Sequence, residues 1–577
     1  MLEQLQRNGH AERISRSEGT ASEQLKLHWQ AGSTLLVVGA IGAVTRLIAP
    51  LIRGKDVDPA VLVLDPRGRW VIPLLGGHGS GAEQRGRELA AALQASVVLT
   101  GACTSDSRLA LDAFGAGWGW KRAGSTTAWR ELMQLYADGG TVTVHQSSGS
   151  PSWLDLNTGL EAAEQPEGAN LLIGPSSEGS CRWHPACLWL GVGCERNTSL
   201  SLVRRAIRET LTGAGLAREA VAGLASADRK ADETALLQLS AENGWPLRTF
   251  ASAALSAVNV PNPSEVVRAE MGTASVAEAA ALLAAGSLGD LLQPKRVFHA
   301  DSKAATGDER GAVTVAITQA AEPFAPERGE LHLIGSGPGD PSLLSADTRQ
   351  ALARCSVWVG YGLYLDLLEP LREVHQVRRD GQLTKEWERC SDALALAQQG
   401  AKVALVSSGD SGIYGMAGLA MELWLQLPID ERPQFQVHPG ISALQLAAAR
   451  AGAPLMHDFC TVSLSDRLTP WTVIEQRLKG AAAGDFVVAL YNPRSKGRDW
   501  QLGRARDLLL EHRSDDTPVA LARQLGRSEE AVQLTTLKAL QPEAVDMLTV
   551  VLIGNSSTYA RDGRMVTPRG YPGAQLQ

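Results

Sequence analysis

The sequence predicts an α/β protein built from several domains. Short apolar runs that are typical of buried strands lead into glycine-rich turns, and alanine-rich helical stretches follow. The four clearest examples in the C-terminal half are residues 331–340, 403–418, 437–443 and 548–557. Alternation of strand and helix indicates sheets that are covered by helices. A length of 577 residues accommodates about three to five domains, since one domain usually takes about 100–200 residues.

The glycine-rich turn within residues 403–418 is the first candidate site. This stretch reads VALVSSGDSGIYGMAG, in which glycines alternate with serines and an aspartate. Open α/β sheets bind ligands at the carboxyl ends of their strands, and glycine lets the backbone approach a ligand closely. The stretch has neither the Gly-Lys-Ser/Thr of a phosphate loop nor the GxGxxG of a dinucleotide site. It therefore predicts a small-molecule site of another kind, with an ordinary tight turn as the alternative.

The N-terminal half shows the same alternation, with one interruption. Strands are predicted within residues 33–44, 60–64, 70–75, 96–100, 188–194, 224–227 and 313–317, and helices at 45–52, 82–93 and 277–285. From 115 to 185 the alternation weakens, which predicts a small, loosely defined module with few strands. We expect Trp129, Trp153 and Trp183 to belong to its core.

Two polar segments of this half are candidates for chemistry. His78 lies in GGHGSGAE, where a histidine among glycines at a helix start can bind an anion or move a proton near neutral pH. A solvated loop histidine is the alternative. The second segment is a charged run after a predicted strand, which comprises Asp228, Lys230, Asp232 and Glu233. Such a run is usually a solvated loop, but sites in α/β proteins form where strands end.

Composition excludes several classes of protein. The formal net charge is −7, so nucleic acid is not an expected partner. No apolar run reaches the ~18 residues of a membrane span, and the polar start lacks the apolar segment of a secretory signal. The seven cysteines form no CxxC pair, and the spacing of Cys181, His184 and Cys187 is not a recurrent zinc spacing. We therefore predict reduced thiols, no bound metal and a cytoplasmic location, with Cys194 as a structural cysteine.

Segments of the C-terminal half together resemble the tetrapyrrole methylases. They are GSGPGD, SSGDSGIYGMAG, PGISALQLAAARAGAPLMHDF, LSDRLTPW, ALYNPRS and VLIGNSS with the closing RMVTPRGY. Within that family, residues 329–571 are similar to the precorrin-3B C(17)-methyltransferases. The resemblance implies two α/β subdomains with the site between them, S-adenosyl-L-methionine as cofactor, and methylation of ring carbon 17 of a contracting corrin precursor. It also implies a homodimer through the methylase domain.

The resemblance further implies which residues line the cofactor. The implied set is Pro338, Gly409, Asp410, Ser411, Ile413, Tyr414, Ser442, Ala443, Tyr491 and Asn492, with Ala522, Arg523 and Gly554 as weaker members. Capping of the following helix is the alternative for Asp410. Because the expected substrate carries several carboxylates, an acidic protein must gather positive charge near the site. Arg494 and Lys496, close after Asn492, are the predicted substrate-binding residues.

Residues 33–320 resemble the cobalt-precorrin-5A hydrolases. GAIGAVTRLIAPLI, DPAVLVLD, LLGGHGSGAE and VVLTGA are similar to the N-terminal part of that family, and LWLGVGCERNTS, ASADRKADE, PNPSEVV, SVAEAAALLAAG, PKR and GAVTVAIT to its C-terminal domain. The resemblance implies the opening of a lactone on the corrin periphery with release of acetaldehyde, and cobalt that enters only as part of the substrate. Such chemistry needs an activated water and a stabilised oxyanion, for which His78 is the candidate base and the charged run at 228–233 the candidate polarising group. Family members usually begin with one more strand and helix, so we expect the N-terminal sheet to lack its first strand.

These resemblances divide the chain into six parts. The predicted parts are a polar leader (1–32), an N-terminal hydrolase domain (33–112), a central hydrolase module (113–185), a C-terminal hydrolase domain (186–319), a linker (320–328) and a methylase domain (329–577). The predicted function is a bifunctional enzyme of cobalamin biosynthesis that acts on a tetrapyrrole, with neither a membrane nor nucleic acid as partner. One alternative is a methyltransferase whose N-terminal half only binds corrinoids. Another is a methylase of the uroporphyrinogen type, against which LSDRLTPW and MHDF count.

Overall fold

The structure is a computed structural model that describes residues 6, 19–54, 57–76, 81–93, 95–100, 108–156, 158–301, 308–495 and 497–572. It confirms the predicted class, because the described residues form α/β domains with helices packed on their sheets. Within these ranges, no helix has both the length and the apolar character needed to cross a membrane.

The first sheet belongs to the N-terminal part of the chain. It contains, in spatial order, β1 (Thr34–Val38), β2 (Ala60–Leu64), β3 (Trp70–Leu75) and β4 (Ser96–Val97). Its helices are α1 (Ala21–Leu27), α2 (Ile41–Ile48) and α3 (Ala82–Leu93). The strand β4 is shorter than the predicted strand at 96–100. The leader is less peripheral than its polarity predicts, because Leu25 of α1 is buried against Val44 and Ile48.

The central residues form a second sheet, so the expectation of few strands was wrong. Its strands are β5 (Lys121–Ala123), β6 (Val142–Gln146), β7 (Leu160–Ala162), β8 (Leu171–Ile173) and β9 (Cys181–His184), in the spatial order β5-β9-β8-β6-β7, with helix α4 (Thr126–Ala137). Strands this short do not show a two-residue period long enough to be recognised. The expected role of Trp129, Trp153 and Trp183 is confirmed, because all three side chains are buried in one core.

The third sheet combines parallel and antiparallel strands. Its strands are β10 (Leu188–Cys194), β11 (Val221–Ala227), β12 (Leu247–Phe250), β13 (Asp290–His299) and β14 (Ala312–Gln319), in the order β12-β11-β10-β14-β13. Its helices are α5 (Leu200–Gly213), α6 (Thr234–Asn243), α7 (Ser252–Ser256), α8 (Glu265–Met271) and α9 (Val276–Ala285). Because β10 and β11 are parallel neighbours, the residues that follow both strands meet at one edge of the sheet.

A fully parallel fourth sheet begins the C-terminal half. Its strands are β15 (Glu330–Gly335), β16 (Val357–Tyr361), β17 (Val377–Gly381), β18 (Lys402–Ser407) and β19 (Gln434–His438), in the order β17-β16-β18-β15-β19. Its helices are α10 (Ala346–Arg354), α11 (Gly362–Leu368), α12 (Glu386–Gln398) and α13 (Ala417–Gln426). Since β15 lies between β18 and β19, the turns after these three strands emerge side by side.

A mixed fifth sheet completes the chain, which gives the C-terminal half two subdomains as predicted. The remaining elements are α14 (Ala443–Ala451), β20 (Gly452–Ala453), β21 (Phe459–Ser463), α15 (Trp471–Ala483), β22 (Val487–Tyr491), α16 (Gln501–Leu510), β23 (Pro518–Arg523), β24 (Ala531–Thr536), β25 (Thr549–Ile553), β26 (Tyr559–Arg561) and β27 (Arg564–Val566). The large sheet has the order β21-β22-β25-β23-β24, and a small sheet has the order β20-β27-β26.

The central sheet and the fourth sheet share one hydrophobic core. The tryptophans of residues 118–183 pack in the same cluster as buried residues of β15, β16, β18 and α12. The backbones approach closely as well, because a Cβ on Gly119 would lie 2.5 Å from the carbonyl oxygen of Gly400. The segment predicted as a linker connects the third sheet to the C-terminal half. The N–H of Phe324 donates at 2.7 Å to the carbonyl of Ala186, which packs in the core of the third sheet, and the N–H of Ala325 donates to Gln398 O of α12 at 2.8 Å.

Candidate functional site

A cavity lies where the two C-terminal subdomains meet. Its lining comprises Pro338, Tyr364, Ser408, Gly409, Asp410, Ile413, Tyr414, Ser442, Ala443, Tyr491, Asn492, Gln524, Leu525, Arg527, Met547, Leu548, Thr549 and Val550. Nine of the ten residues that sequence analysis assigned to the cofactor are in this set. Turns after strands of both large sheets therefore meet at one place.

Backbone packing builds the floor of the cavity from three turns. Gly337 and Gly409 pair across the turns after β15 and β18, with N–H to carbonyl distances of 3.0 and 2.7 Å. Gly440, in the turn after β19, lies against both, because a Cβ there would come within 2.2 Å of Gly409 O and 2.4 Å of Gly335 O. Glycine is the residue that allows this approach.

Asp410 holds two of these turns together. Its Oδ1 accepts the N–H of Gly412 at 2.8 Å, and its Oδ2 accepts the N–H of Gly440 at 3.0 Å. The alternative that Asp410 caps the following helix was wrong, because α13 begins only at Ala417 and these bonds go elsewhere. The carboxylate still faces the cavity with lone pairs to spare, since each oxygen accepts one of these N–H groups.

Two tyrosines provide an aromatic wall. The rings of Tyr414 and Tyr491 are 5.1 Å apart between centroids and inclined at 54°. The N–H of Leu444, in the first turn of α14, donates to the phenol oxygen of Tyr491 at 2.9 Å. Burial raises the pKa of Tyr491, so its hydroxyl is protonated at neutral pH. Ser442 caps α14 in a capping box with Gln445, which places Ser442 and Ala443 at the cavity edge.

Three predicted residues are not brought to this lining. Ser411 has a fully buried side chain whose Oγ has no partner within the described residues, and it lies beneath the turn that leads to α13. Arg494 donates to the carbonyl of Pro542 at 3.2 Å, which directs its guanidinium away from the cavity. Lys496 lies outside the described residues.

The charged run in the N-terminal half divides into buried and exposed members. Glu233 is 2% exposed, and its Oε1 accepts the N–H of Asn197 at 2.9 Å. Its Oε2 lies 3.7 Å from the Nζ of the buried Lys230 and 3.6 Å from Nη1 of Arg196, and it has no hydrogen-bond partner among the described residues. Asp228 is exposed, and Asp232, whose side chain is 77% exposed, pairs with Arg196 at 2.5 Å. The structure thus brings Lys230 and Glu233 together and leaves the two aspartates at the surface.

The remaining candidates of the N-terminal half are Cys194 and His78. Burial raises the pKa of the Cys194 thiol to about 11, so the thiol is protonated at neutral pH, which supports a structural role. His78 lies outside the described residues. In the part of the chain that is described, no three His, Cys, Asp or Glu side chains gather as metal ligands would.

Comparison with known proteins decides the family. The sequence profile of the Tetrapyrrole (Corrin/Porphyrin) Methylases matches residues 330–541. The "Probable cobalt-factor III C(17)-methyltransferase" of Salmonella typhimurium is 47% identical over 241 residues, which are 42% of this chain and 99% of that protein. The chain belongs to the tetrapyrrole methylase family. A second tetrapyrrole methylase, the "Precorrin-3B C(17)-methyltransferase" of Sinorhizobium sp, is 40% identical over 43% of this chain and 98% of its own length.

The other comparisons extend this result to the N-terminal half. Profiles described as Cobalamin synthesis G N-terminal and Cobalamin synthesis G C-terminus match residues 23–104 and 188–318. Both resemblances predicted from the sequence are thereby confirmed.

The solved "Crystal structure of the methyltransferase CobJ" is 38% identical, with 42% of this chain and 100% of that chain covered and a TM-score of 0.40.

Several lining residues of the tetrapyrrole methylase cavity were missed by sequence analysis. They are Tyr364, Ser408, Gln524, Leu525, Arg527 and residues 547–550. The weaker candidates Ala522 and Arg523 pointed to the turn after β23, but the cationic member of that turn that lines the cavity is Arg527. Arg523 is exposed and pairs with Asp546 at 2.9 Å. The strand β23 that precedes Arg527 was not predicted, so the weaker candidates Ala522 and Arg523 were the sequence signal near it.

Proposed function

We propose that the protein is a bifunctional enzyme of cobalamin biosynthesis. Its methylase part transfers a methyl group from S-adenosyl-L-methionine to ring carbon 17 of precorrin-3B or its cobalt analogue, with ring contraction. Its N-terminal part opens the lactone of cobalt-precorrin-5A and releases acetaldehyde. The observation that carries the first activity is the single cavity that gathers nine predicted cofactor residues from two subdomains.

The cavity residues fit an adenosyl sulfonium compound. Aromatic faces and a carboxylate attract cations, and the cavity offers Tyr414, Tyr491 and Asp410 within one lining. S-Adenosyl-L-methionine would supply the methyl group. The contribution of this chain is positioning, because the glycine turns allow the ligand to lie close to the backbone. Few acid–base groups are required, which agrees with the composition of the lining.

The substrate assignment follows the relatives. Those proteins are named as C(17)-methyltransferases of cobalt-factor III and of precorrin-3B, and both align over almost their whole length. Cobalt enters, in this proposal, only as part of the tetrapyrrole. Residues 329–577 form the methylase domain, and 33–112, 113–185 and 186–319 form the three hydrolase parts after a leader of residues 1–32.

Methyl transfer can be tested with the full chain. The protein is incubated with methyl-deuterated S-adenosyl-L-methionine and either precorrin-3B or its cobalt analogue, and the product is analysed by mass spectrometry and NMR. We expect one labelled methyl group at ring carbon 17. Binding of S-adenosyl-L-homocysteine without methylation of either substrate would reject the assignment. Methylation of uroporphyrinogen III instead would establish the runner-up methylase.

The second activity is supported by the buried pair at the edge of the third sheet. Lys230 and Glu233 are charged side chains held away from water directly after β11, where an α/β sheet forms its sites. A buried carboxylate with one oxygen free of hydrogen bonds can accept a proton, and a buried ammonium can stabilise an oxyanion. His78 remains the other candidate base.

Acetaldehyde release from cobalt-precorrin-5A tests the hydrolase. The full chain is the required sample, because the central module shares its core with the methylase part. Loss of release in His78→Ala would place the base in the glycine loop, whereas retained release would direct attention to Lys230 and Glu233. Tight corrinoid binding with no release by the folded wild-type protein would establish the binding-only alternative.

Compartment and assembly complete the proposal. The six described cysteines are all free thiols, which supports a reducing compartment, the cytoplasm. We also propose a homodimer through the methylase domain, which light scattering of the full chain can test.

A further inference from the structure

A turn after β23 carries the cationic side chain of the methylase cavity. Among the described residues that line the cavity, Arg527 is the one with a positive charge. The turn packs against the loop after β15, because a Cβ on Gly339 would lie 2.6 Å from Gly526 O. Two further bonds fix it: the N–H of Gly526 donates to Glu530 Oε2 at 2.7 Å, and the N–H of Arg527 donates to Gln524 O at 3.1 Å. A tied-down turn therefore presents the half-buried Arg527.

The charge of Arg527 is not neutralised within the cavity. Its guanidinium forms neither an ion pair nor a hydrogen bond with any residue that the structure describes. The carboxylate in the same lining, Asp410, forms no ion pair with Arg527 among the described residues, and its hydrogen bonds go to the backbone N–H groups of Gly412 and Gly440. The phenol of Tyr364 lies close enough for the guanidinium to oppose the rise in the tyrosine's pKa that burial causes. A neutral phenol does not balance a cation.

The charges of the two proposed ligands decide which of them Arg527 serves. S-Adenosyl-L-methionine carries a sulfonium and an ammonium against one carboxylate, so its net charge is positive and an unpaired cation beside it is repelled. A tetrapyrrole with several carboxylates supplies the missing anion, and guanidinium pairs with carboxylate through two parallel hydrogen bonds. We propose that Arg527 holds a side-chain carboxylate of the tetrapyrrole and so sets which ring carbon faces the methyl donor. This proposal rests on the proposed methyltransferase function.

The predicted alternative, Arg494, serves as the matched control. Arg494 lies in the same subdomain, but its guanidinium is occupied by the carbonyl of Pro542 and is absent from the cavity lining. A change at Arg494 removes the same charge from the same subdomain without touching the proposed contact. Comparison of the two positions therefore separates local anchoring from the general electrostatic field of the subdomain.

The test uses the full chain in four forms: wild type, Arg527→Gln, Arg527→Lys and Arg494→Gln. Thermal unfolding establishes that each is folded. For Arg527→Gln, we expect the KM for the tetrapyrrole to rise about tenfold or more, since hydrogen bonds between charged groups are the strong ones. The affinity for S-adenosyl-L-homocysteine, measured by calorimetry, should change less than about twofold. Arg527→Lys should recover part of the loss, because it keeps the charge but not the paired geometry. Arg494→Gln should match the wild type.

Each other outcome overturns the proposal. Weakened S-adenosyl-L-homocysteine binding with an unchanged tetrapyrrole KM would assign Arg527 to the cofactor's carboxylate. An unchanged KM for both ligands would remove Arg527 from substrate binding, and an equal loss in Arg494→Gln would indicate a diffuse electrostatic effect. If the wild-type chain transfers no methyl group, the proposed function fails separately. Equilibrium binding of the tetrapyrrole, followed by its absorbance, still decides the role of Arg527.

Discussion

Replacement of Gly440 by alanine should weaken cofactor binding by forcing three turns apart. The added Cβ would lie 2.2 Å from the carbonyl oxygen of Gly409 and 2.4 Å from that of Gly335. Carbon–oxygen contacts normally close at about 3.3 Å, so the turns must separate by roughly 1 Å. Both neighbours are backbone, which has no rotamer through which to relieve the contact. The shift would also stretch the 3.0 Å hydrogen bond from Gly440 N–H to Asp410 Oδ2.

The size of the effect follows from the cost of overpacking. Extra atoms in a close-packed site typically cost about 1–3 kcal/mol. If that cost falls on the arrangement that binds the cofactor, the dissociation constant rises by about 5- to 150-fold, since about 1.4 kcal/mol corresponds to a factor of ten. Calorimetric titration of the full chain with S-adenosyl-L-homocysteine measures this directly. Methyl transfer should fall in parallel at subsaturating cofactor.

Gly418→Ala is the control for this substitution. Gly418 belongs to the same glycine-rich block, but a Cβ there would meet nothing within 4 Å, and the residue lies inside α13. Alanine at such a helical position should leave binding intact and stabilise the helix by up to about 1 kcal/mol. A Gly440→Ala protein that binds S-adenosyl-L-homocysteine within twofold of the wild type would refute the assignment of these turns to the cofactor.

Three further predictions concern the rest of the chain. Trp153→Ala should lower the free energy of unfolding of the shared core by about 3–5 kcal/mol and reduce both activities together. Trp387→Ala, at a side chain that is 58% exposed, should change neither. Thermal unfolding and activity assays of the two variants measure the difference. Burial raises the pKa of Glu330, but hydrogen bonds from His332 and Arg354 outweigh it and hold the pKa below its usual value. The resulting stability is present above the ordinary glutamate pKa of about 4.3 and is lost as the pH falls below that value toward the lowered pKa of the folded state. Glu330→Gln should therefore show a shallower decline in denaturant stability between about pH 5 and pH 2 than the wild type; parallel curves would contradict this. Glu233→Gln should lower acetaldehyde release at least about tenfold, while Asp232→Asn should stay near the wild-type rate. Of these two carboxylates, Glu233 is the one that is buried beside Lys230. Equal rates in both variants would exclude a role for the pair of Lys230 and Glu233.

The local features of the methylase site were predictable from the chain alone. Most turns that line the cavity follow an apolar run that the structure shows as a strand, as with Ser408 and Gly409 after β18, whereas Met547 and Leu548 precede β25. Glycine, serine and aspartate at such positions signal a ligand-binding turn without any knowledge of their neighbours. Ser411 shows where this reasoning stops, because the direction of one side chain within a turn depends on what packs beneath it.

The cationic residue of the cavity and the central sheet could not be predicted in the same way. Arg494 follows β22 as Arg527 follows β23, and neither strand was predicted. The two arginines differ in their partners, because the guanidinium of Arg494 donates to the carbonyl of Pro542, which is 48 positions away. The strands of residues 121–184 are held together by tryptophans that pack against β15 and β18, far along the chain. Short strands of this kind have little propensity of their own and are stabilised by tertiary burial.

The sequence by itself determined the family, the two halves, the strand–turn–helix units and nine of the residues that line the cavity. These properties depend on residue type, period and local turn chemistry, which the linear chain contains. Only the tertiary structure decided that Arg527 rather than Arg494 faces the cavity, and that Lys230 and Glu233 are buried while Asp228 and Asp232 are not. It also decided that the predicted linker packs in the core of the third sheet and bonds to α12 of the C-terminal half. Burial and pairing depend on groups that are distant in sequence, and the free energy of a charged side chain is set by those groups rather than by its immediate neighbours.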